Sequence, residues 1–280
     1  MRALIFGLSL LVSSQTLAAV CTETSNVMTF PSGDSCTAEP DYYAVTIYEM
    51  GLCSSSPTAP TSSTAMSEAS CTVVYQNSSG QLVSVQNGVT GSLANNELTV
   101  TPANGSYTHG YMRMSNDILV KVNQEFTASL SGDDTSTSGV NCATKTATYK
   151  NDGTSGTQTS VCNSSAPTAG TLTSRMVDFS GASASGCFAV DASNCGGALT
   201  VTGGTLSAYL LDSNELLATS TGAVSALLGI QAFTNPVVIT EQSTAMDVAF
   251  KVSEGMTVSD EGSGNVQFDS GPFSVIITID

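Results

Sequence analysis

The chain has 280 residues and a formal charge of −16, with 23 acidic against 7 basic side chains. That balance, with no local cluster of Lys or Arg to offset it, repels polyanions and excludes binding to nucleic acid or to an anionic lipid surface. Charged residues make up only 11% of the chain, whereas serines number 42 and threonines 36, so its hydration rests largely on hydroxyls and amides.

Residues 1–19 carry one positive charge at Arg2, an apolar stretch over 3–12, a polar break over 13–16, and the small residues Ala18 and Ala19. This is the layout of a secretory signal peptide. The apolar run is about half of the roughly twenty residues that a membrane span needs. Cys21 follows at once, but Val20 occupies the position where a lipid-attachment site requires a small residue. No later stretch is long and apolar enough to span a bilayer. The expected location is therefore outside the cell, secreted or at the cell surface.

Residues 20–130 read as an N-terminal β domain. Residues 42–50 (YYAVTIYEM) alternate, with Tyr43, Val45, Ile47 and then Glu49 on one side, and their β-branched and aromatic content suits a pleated strand. The runs 71–75 and 81–85 around a turn at 76–80 (QNSSG) predict a hairpin. The runs 97–101, 106–114 and 118–122, separated by PANG and SND, continue the pattern. Residues 131–166 change character to a polar segment closed by Cys142 and Cys162, with Asn151-Asp152-Gly153 as a tight-turn signal between two short strands. It reads as an exposed hairpin or linker.

Residues 167–280 resume as a C-terminal β domain. In 246–252 the side chains of Met246, Val248, Phe250 and Val252 share a face, as do Phe273, Val275, Ile277 and Ile279 in the terminal FSVIITI. Residues 215–233 fit one helix or two strands, and Gly222 and Gly229 favour strands. The expected fold class is all-β, antiparallel β-sandwich units (Ig-like or jelly-roll-like) with disulfide-stapled loops and little or no helix.

The cysteines, Cys21, Cys36, Cys53, Cys71, Cys142, Cys162, Cys187 and Cys195, form an even set in an exported chain, which predicts four disulfides. Spacing alone does not choose among the possible pairings. Sequential pairing is favoured because it closes loops rich in Ser, Thr, Gly and Asp. On that pairing Cys53 and Cys71 pinch two strand ends and leave residues 54–70 (SSSPTAPTSSTAMSEAS) in solvent. The absence of short C-x₂₋₄-C pairs and the single histidine, His109, argue against structural zinc.

Several segments superficially carry chemistry. Gly33-Asp34-Ser35 suggests a serine hydrolase, but a base is needed to take the serine proton, and His109 stands in neither the protease nor the esterase order. Ser183 in GASASG lacks a following histidine. Tyr107, His109 and Tyr111 in SYTHGYMRM could form a shallow glycan-contact site through stacking and hydrogen bonding, although aromatic residues in a strand are ordinary. Asp133, Asp134, Asp260 and Glu261 are the first places to look for loop calcium, but no EF-hand register is present. Lys121 and Lys251, inside strand-like runs, fit either solvent-facing positions or an isopeptide cross-link.

No catalytic set, resident metal or cofactor is expected. The expected function is that of a secreted, disulfide-stabilised structural or adhesive surface protein, such as a subunit of an extracellular filament, surface layer or matrix. Its expected partners are further copies of itself or other surface proteins. The alternative is a monomeric extracellular carbohydrate-binding module that contacts glycans.

Overall fold

The computed structural model describes residues 19–31, 35–86, 102–133, 137–151, 157–179, 186–195, 197–201, 203–243, 246–262 and 264–279. The signal-peptide core, the run 97–101, Asp134, Asp152, Gly153 and Ser183 therefore lie outside the described residues.

The first strands in chain order are β1 (Ala19–Val20), β2 (Glu23–Thr24), β3 (Val27–Met28), β4 (Ser35–Ala38), β5 (Tyr42–Cys53), β6 (Cys71–Gln86), β7 (Gly105–Lys121) and β8 (Asn123–Gly132). They are followed by β9 (Ser138–Thr144), β10 (Ala147–Lys150), β11 (Ser160–Asn163), β12 (Leu172–Arg175), β13 (Ala189–Val190), β14 (Leu199–Val201) and β15 (Gly204–Leu211). A 3-10 turn at Thr221–Ala223 precedes β16 (Ala226–Ile239), β17 (Met246–Lys251), β18 (Met256–Asp260), β19 (Asn265–Ser270) and β20 (Ser274–Ile279). Residues 215–233 thus resolve as turn and strand.

Two large sheets result. The first has the order β1-β4-β18-β19-β8-β3-β2, with β9 on β8 and β11 on β9. The second is organised around the long β7, which pairs with β5 along one edge and with β16 and then β12 along the other. Period-two burial explains why β7 sits at the centre: Met112, Met114, Ile118 and Val120 are all buried, while Arg113, Asp117 and Lys121 between them are not. A continuous core joins the two sheets. Phe126, Val258, Val266 and Phe268 come from the first, and Tyr43, Ile47, Met112 and Val120 from the second. The architecture is all-β and sandwich-like.

The sheets do not divide along the ranges 20–130 and 167–280. β7 pairs with β16 in the second sheet and β8 with β19 in the first, so each sheet takes strands from both ranges.

Five local expectations are corrected. Residues 76–80 are not a hairpin turn: β6 runs straight through them along β5, and residues 77–80 bulge out opposite Tyr48, where Gly80 takes φ +77° over the side chains of Thr46 and Tyr48. The SND segment is likewise inside β7. Asn116 there is buried and donates its Nδ2–H to the Met176 carbonyl at 3.0 Å, while Asp117 pairs with Arg175 across β12. The bulge after Ile47 also reverses the side-chain alternation of β5, so that Met50 and Leu52 face the core and Glu49 turns to the opposite face.

The segment 131–166 is not an exposed projection. Cys142 and Cys162 face each other across β9 and β11 and are fully buried, whereas β10 leaves that pair and lies parallel to β12 in the second sheet. Thr144 pins the crossing point. Its hydroxyl donates to the Gly170 carbonyl at 2.6 Å and accepts the Val122 N–H at 3.1 Å.

The disulfides are Cys21–Cys36, Cys53–Cys71, Cys142–Cys162 and Cys187–Cys195, the sequential pairing. Cys53 and Cys71 are register partners at the ends of β5 and β6. The loop they close is not left in solvent. Pro57 and Pro60 are buried, Ala59 and Met66 pack on an apolar cluster around Tyr111, Leu211 and Leu228, and Thr61 accepts the Leu217 N–H at 3.0 Å. The loop folds back as a lid on the outer face of the second sheet.

Candidate functional site

Tyr107, His109 and Tyr111 project from β7, where two tight fits fix the local geometry. A Cβ on Gly51 would stand 2.2 Å from the Tyr111 ring, and one on Gly110 would stand 2.8 Å from the Phe233 ring. The Tyr111 ring is therefore packed against the Gly51 backbone, and both tyrosines are buried, at 6% and 3% exposure for Tyr107 and Tyr111. Tyr107 donates its hydroxyl to the Ala103 carbonyl at 2.8 Å, and Tyr111 donates to Glu49 Oε1 at 2.8 Å. His109 is half-buried beside the Thr108 hydroxyl, and partial burial lowers its pKa. The three residues do not assemble into an open aromatic face, since Tyr107 is buried in the main core cluster and Tyr111 in the smaller one.

What the structure brings together instead is a polar network centred on Glu49, which is 5% exposed. Its carboxylate accepts hydrogen bonds from Tyr111 Oη, from Gln76 Nε2 at 2.8 Å and from Arg113 Nη2 at 3.2 Å. The other side of the Arg113 guanidinium contacts Glu215. Glu215 itself sits at φ +65°, a left-handed conformation uncommon for a non-glycine residue, held by Asp212 Oδ1, which accepts the Asn214 and Leu216 N–H groups. Glu68 of the stapled lid also approaches. Partial burial, followed by the neighbouring Glu49 charge, raises its carboxyl pKa above the usual range. Burial and the hydrogen bond to Glu49 likewise push the Tyr111 phenol up. Three carboxylates thus share one guanidinium, and the arrangement ties β5, β7, the lid and the turn at 212–217 into one unit. The bulge in β5 creates this site, and one clue to it is that Glu49 is the sole charge in YYAVTIYEMGLC.

On the inner face of the second sheet lies an apolar cavity of about 70 Å³, lined by Met50, Met112, Met114, Leu227, Phe233 and Phe273 among others. Unbranched methionine side chains adapt to such irregular space. Phe273, from the segment before the terminal strand, closes one side and packs against Tyr43 and Phe250, with ring centroids 5.7 and 6.1 Å away.

The calcium candidates have structural partners. Asp133 accepts the Thr159 N–H at 2.7 Å and the Thr159 hydroxyl at 2.9 Å. Burial raises its pKa, while these bonds oppose the rise. Asp260 Oδ1 accepts the Gly262 and Gly264 N–H groups and shapes the turn between β18 and β19. Glu261 is exposed in that turn. Among the described residues, no group of three or more His, Cys, Asp or Glu side chains is placed to hold a metal ion. Ser35 and His109 lie in different sheets, on β4 and β7. Lys251 is exposed on β17 and Lys121 is half-buried on β7.

Compared with known proteins, the chain matches no family model, no curated sequence and no solved structure. No helix among the described residues is long and apolar enough to cross a membrane.

Proposed function

We propose that this chain is an exported structural or adhesive surface protein that self-associates, as a subunit of a filament, surface layer or matrix. One observation carries the reading. β17 and β20 form a two-stranded sheet apart from both large sheets, and neither pairs with any other strand among the described residues. Such strand edges present backbone donors and acceptors to another chain. The four disulfides and the hydroxyl-rich composition, with few Lys and Arg sites for trypsin-like proteases, suit long residence in an oxidising environment. The lid over Glu49 and the packing of Tyr107 and Tyr111 act as scaffold in this account, so these residues are not offered as a glycan site.

The test is sedimentation of the protein lacking residues 1–19, over a range of concentrations, with and without residues 272–280. Concentration-dependent assembly that the truncated but folded chain loses supports the proposal. A full-length protein that stays monomeric throughout opposes it.

A further inference from the structure

From the topology of the last four strands we infer that copies of this chain join by exchanging their terminal strand, with β20 of one copy pairing with β17 of the next. The inference rests on the self-association proposed above and specifies its chemistry.

β17, β18, β19 and β20 are the two arms of one long hairpin that closes between β18 and β19. β18 pairs with β19 out to Met256 opposite Ser270, and the arms meet again as β17 and β20 from Lys251 opposite Ser274. Between these ladders lies a break. Gly255 donates its N–H to the Val252 carbonyl at 2.9 Å, and Gly271 donates to the Gly255 carbonyl at 2.8 Å. A Cβ on Gly271 would stand 2.0 Å from the Glu254 carbonyl oxygen, so only glycine fits there. Pro272 follows, with no N–H to give to a ladder and a fixed extended-compatible φ. The inner arms, β18 and β19, are anchored within the first sheet by β4 and β8. The outer arms have no ladder partner but each other, although β20 lies beside β16 and Phe250 of β17 packs into the main core.

This geometry makes residues 271–272 the natural crossing point. Beyond them β20 contributes six register pairs with β17, and Phe273 packs on Tyr43 and Phe250. Those contacts can be remade between two copies, because the acceptor surface, β17 with Tyr43 and the neighbouring β16, is identical in each. Neither large sheet includes β20, so its departure leaves their ladders intact. Ile276, midway along β20, is 40% exposed, which leaves that strand accessible to a second chain. A head-to-tail exchange of this kind extends to a filament where the rotation between copies does not close.

The test is the double variant Ala249→Cys with Ile276→Cys, which places two thiols opposite each other across β17 and β20. Oxidised after assembly, it is expected to give a ladder of covalent oligomers on a non-reducing gel. Oxidised as dilute monomer, it should form a locked chain that no longer assembles. Assembled material that yields only single chains carrying the internal 249–276 bond overturns exchange but leaves self-association standing. Failure of the unmodified full chain to assemble at all overturns both. Should the added thiols disturb the native pairs, a chain ending at Gly271 that retains the wild-type circular dichroism spectrum provides the second arm. It should bind a synthetic peptide of residues 272–280 saturably, and absence of binding counts against the exchange.

Discussion

Replacing Asp269 with Asn is expected to stabilise the protein above pH 6 and to leave it little changed near pH 4. Asp269 lies where the sheets meet. Its carboxylate accepts the Ser174 hydroxyl from β12 and the Ser270 N–H at 2.7 Å, and Ser174 and Ser270 share a further hydroxyl contact at 2.8 Å. Burial pushes its pKa up to about 6, and the two hydrogen bonds oppose the rise without cancelling it. An unfolded aspartate titrates near 3.9, so between about pH 4 and 6 the folded state keeps a proton that the unfolded chain releases. The stability this group contributes is therefore complete below about pH 3.9 and is lost as pH rises through 6. A rise of about two pH units corresponds to about 3 kcal/mol, which solvent contact at this half-buried residue reduces to about 2 kcal/mol. Asparagine removes the ionisation yet keeps an oxygen to accept both bonds. Thermal unfolding from pH 4 to 8 should show the wild-type midpoint falling relative to the variant by roughly 4–8 °C above pH 6. The overall negative charge affects both proteins alike, so their difference isolates Asp269. A variant destabilised equally at pH 4 and pH 8 would mean that the substitution removes a hydrogen bond and relieves no buried charge.

Three further outcomes can be measured by denaturant unfolding. Replacing both Cys53 and Cys71 with Ser should lower stability by about 3 kcal/mol, the chain-entropy value for a loop of this length, and should increase proteolysis within residues 54–70; unchanged stability and protection would contradict the lid. Arg113→Ala leaves the buried Glu49 carboxylate without its countercharge and should cost about 3–5 kcal/mol, with Glu49→Gln in the same background recovering part of the loss. Gly51→Ala puts a methyl group into the Tyr111 ring and should destabilise by more than about 2 kcal/mol, whereas Gly222→Ala, which meets open space, should be nearly neutral.

Much of the fold was legible because burial and alternation coincide. Tyr43, Val45 and Ile47 in β5 and Phe250 and Val252 at the end of β17 face the core as their period-two pattern requires. The side chains of Met246, Val248, Val275, Ile277 and Ile279 lie outside the described set. The Ser-, Thr-, Gly- and Asp-rich loops between successive cysteines also pointed to the observed disulfides, and register brings Cys53 to Cys71 and Cys142 to Cys162 within neighbouring strands.

What the sequence concealed was long-range. The parallel pairings of β19 with β8 and of β10 with β12 join residues that no local signal connects. Polar turn-like segments were absorbed into strands because tertiary partners satisfied them, as Met176 and Arg175 do for Asn116 and Asp117. The Glu49 network escaped for a related reason. A bulge of one strand against another reversed its face, and strand pairing, not composition, decides where such a bulge falls. Tyr107 and Tyr111 looked available for a ligand because strand composition does not reveal which face a neighbouring loop covers.

The proposed function requires the protein to build an assembly from its own copies. Electron microscopy of the exported protein, at near-neutral pH and physiological salt, addresses it most directly. Filaments, sheets or regular multimers that disappear when residues 272–280 are removed from an otherwise folded chain are the expected result. Dispersed particles the size of a single chain, unchanged as concentration is raised, would overturn the proposed self-association.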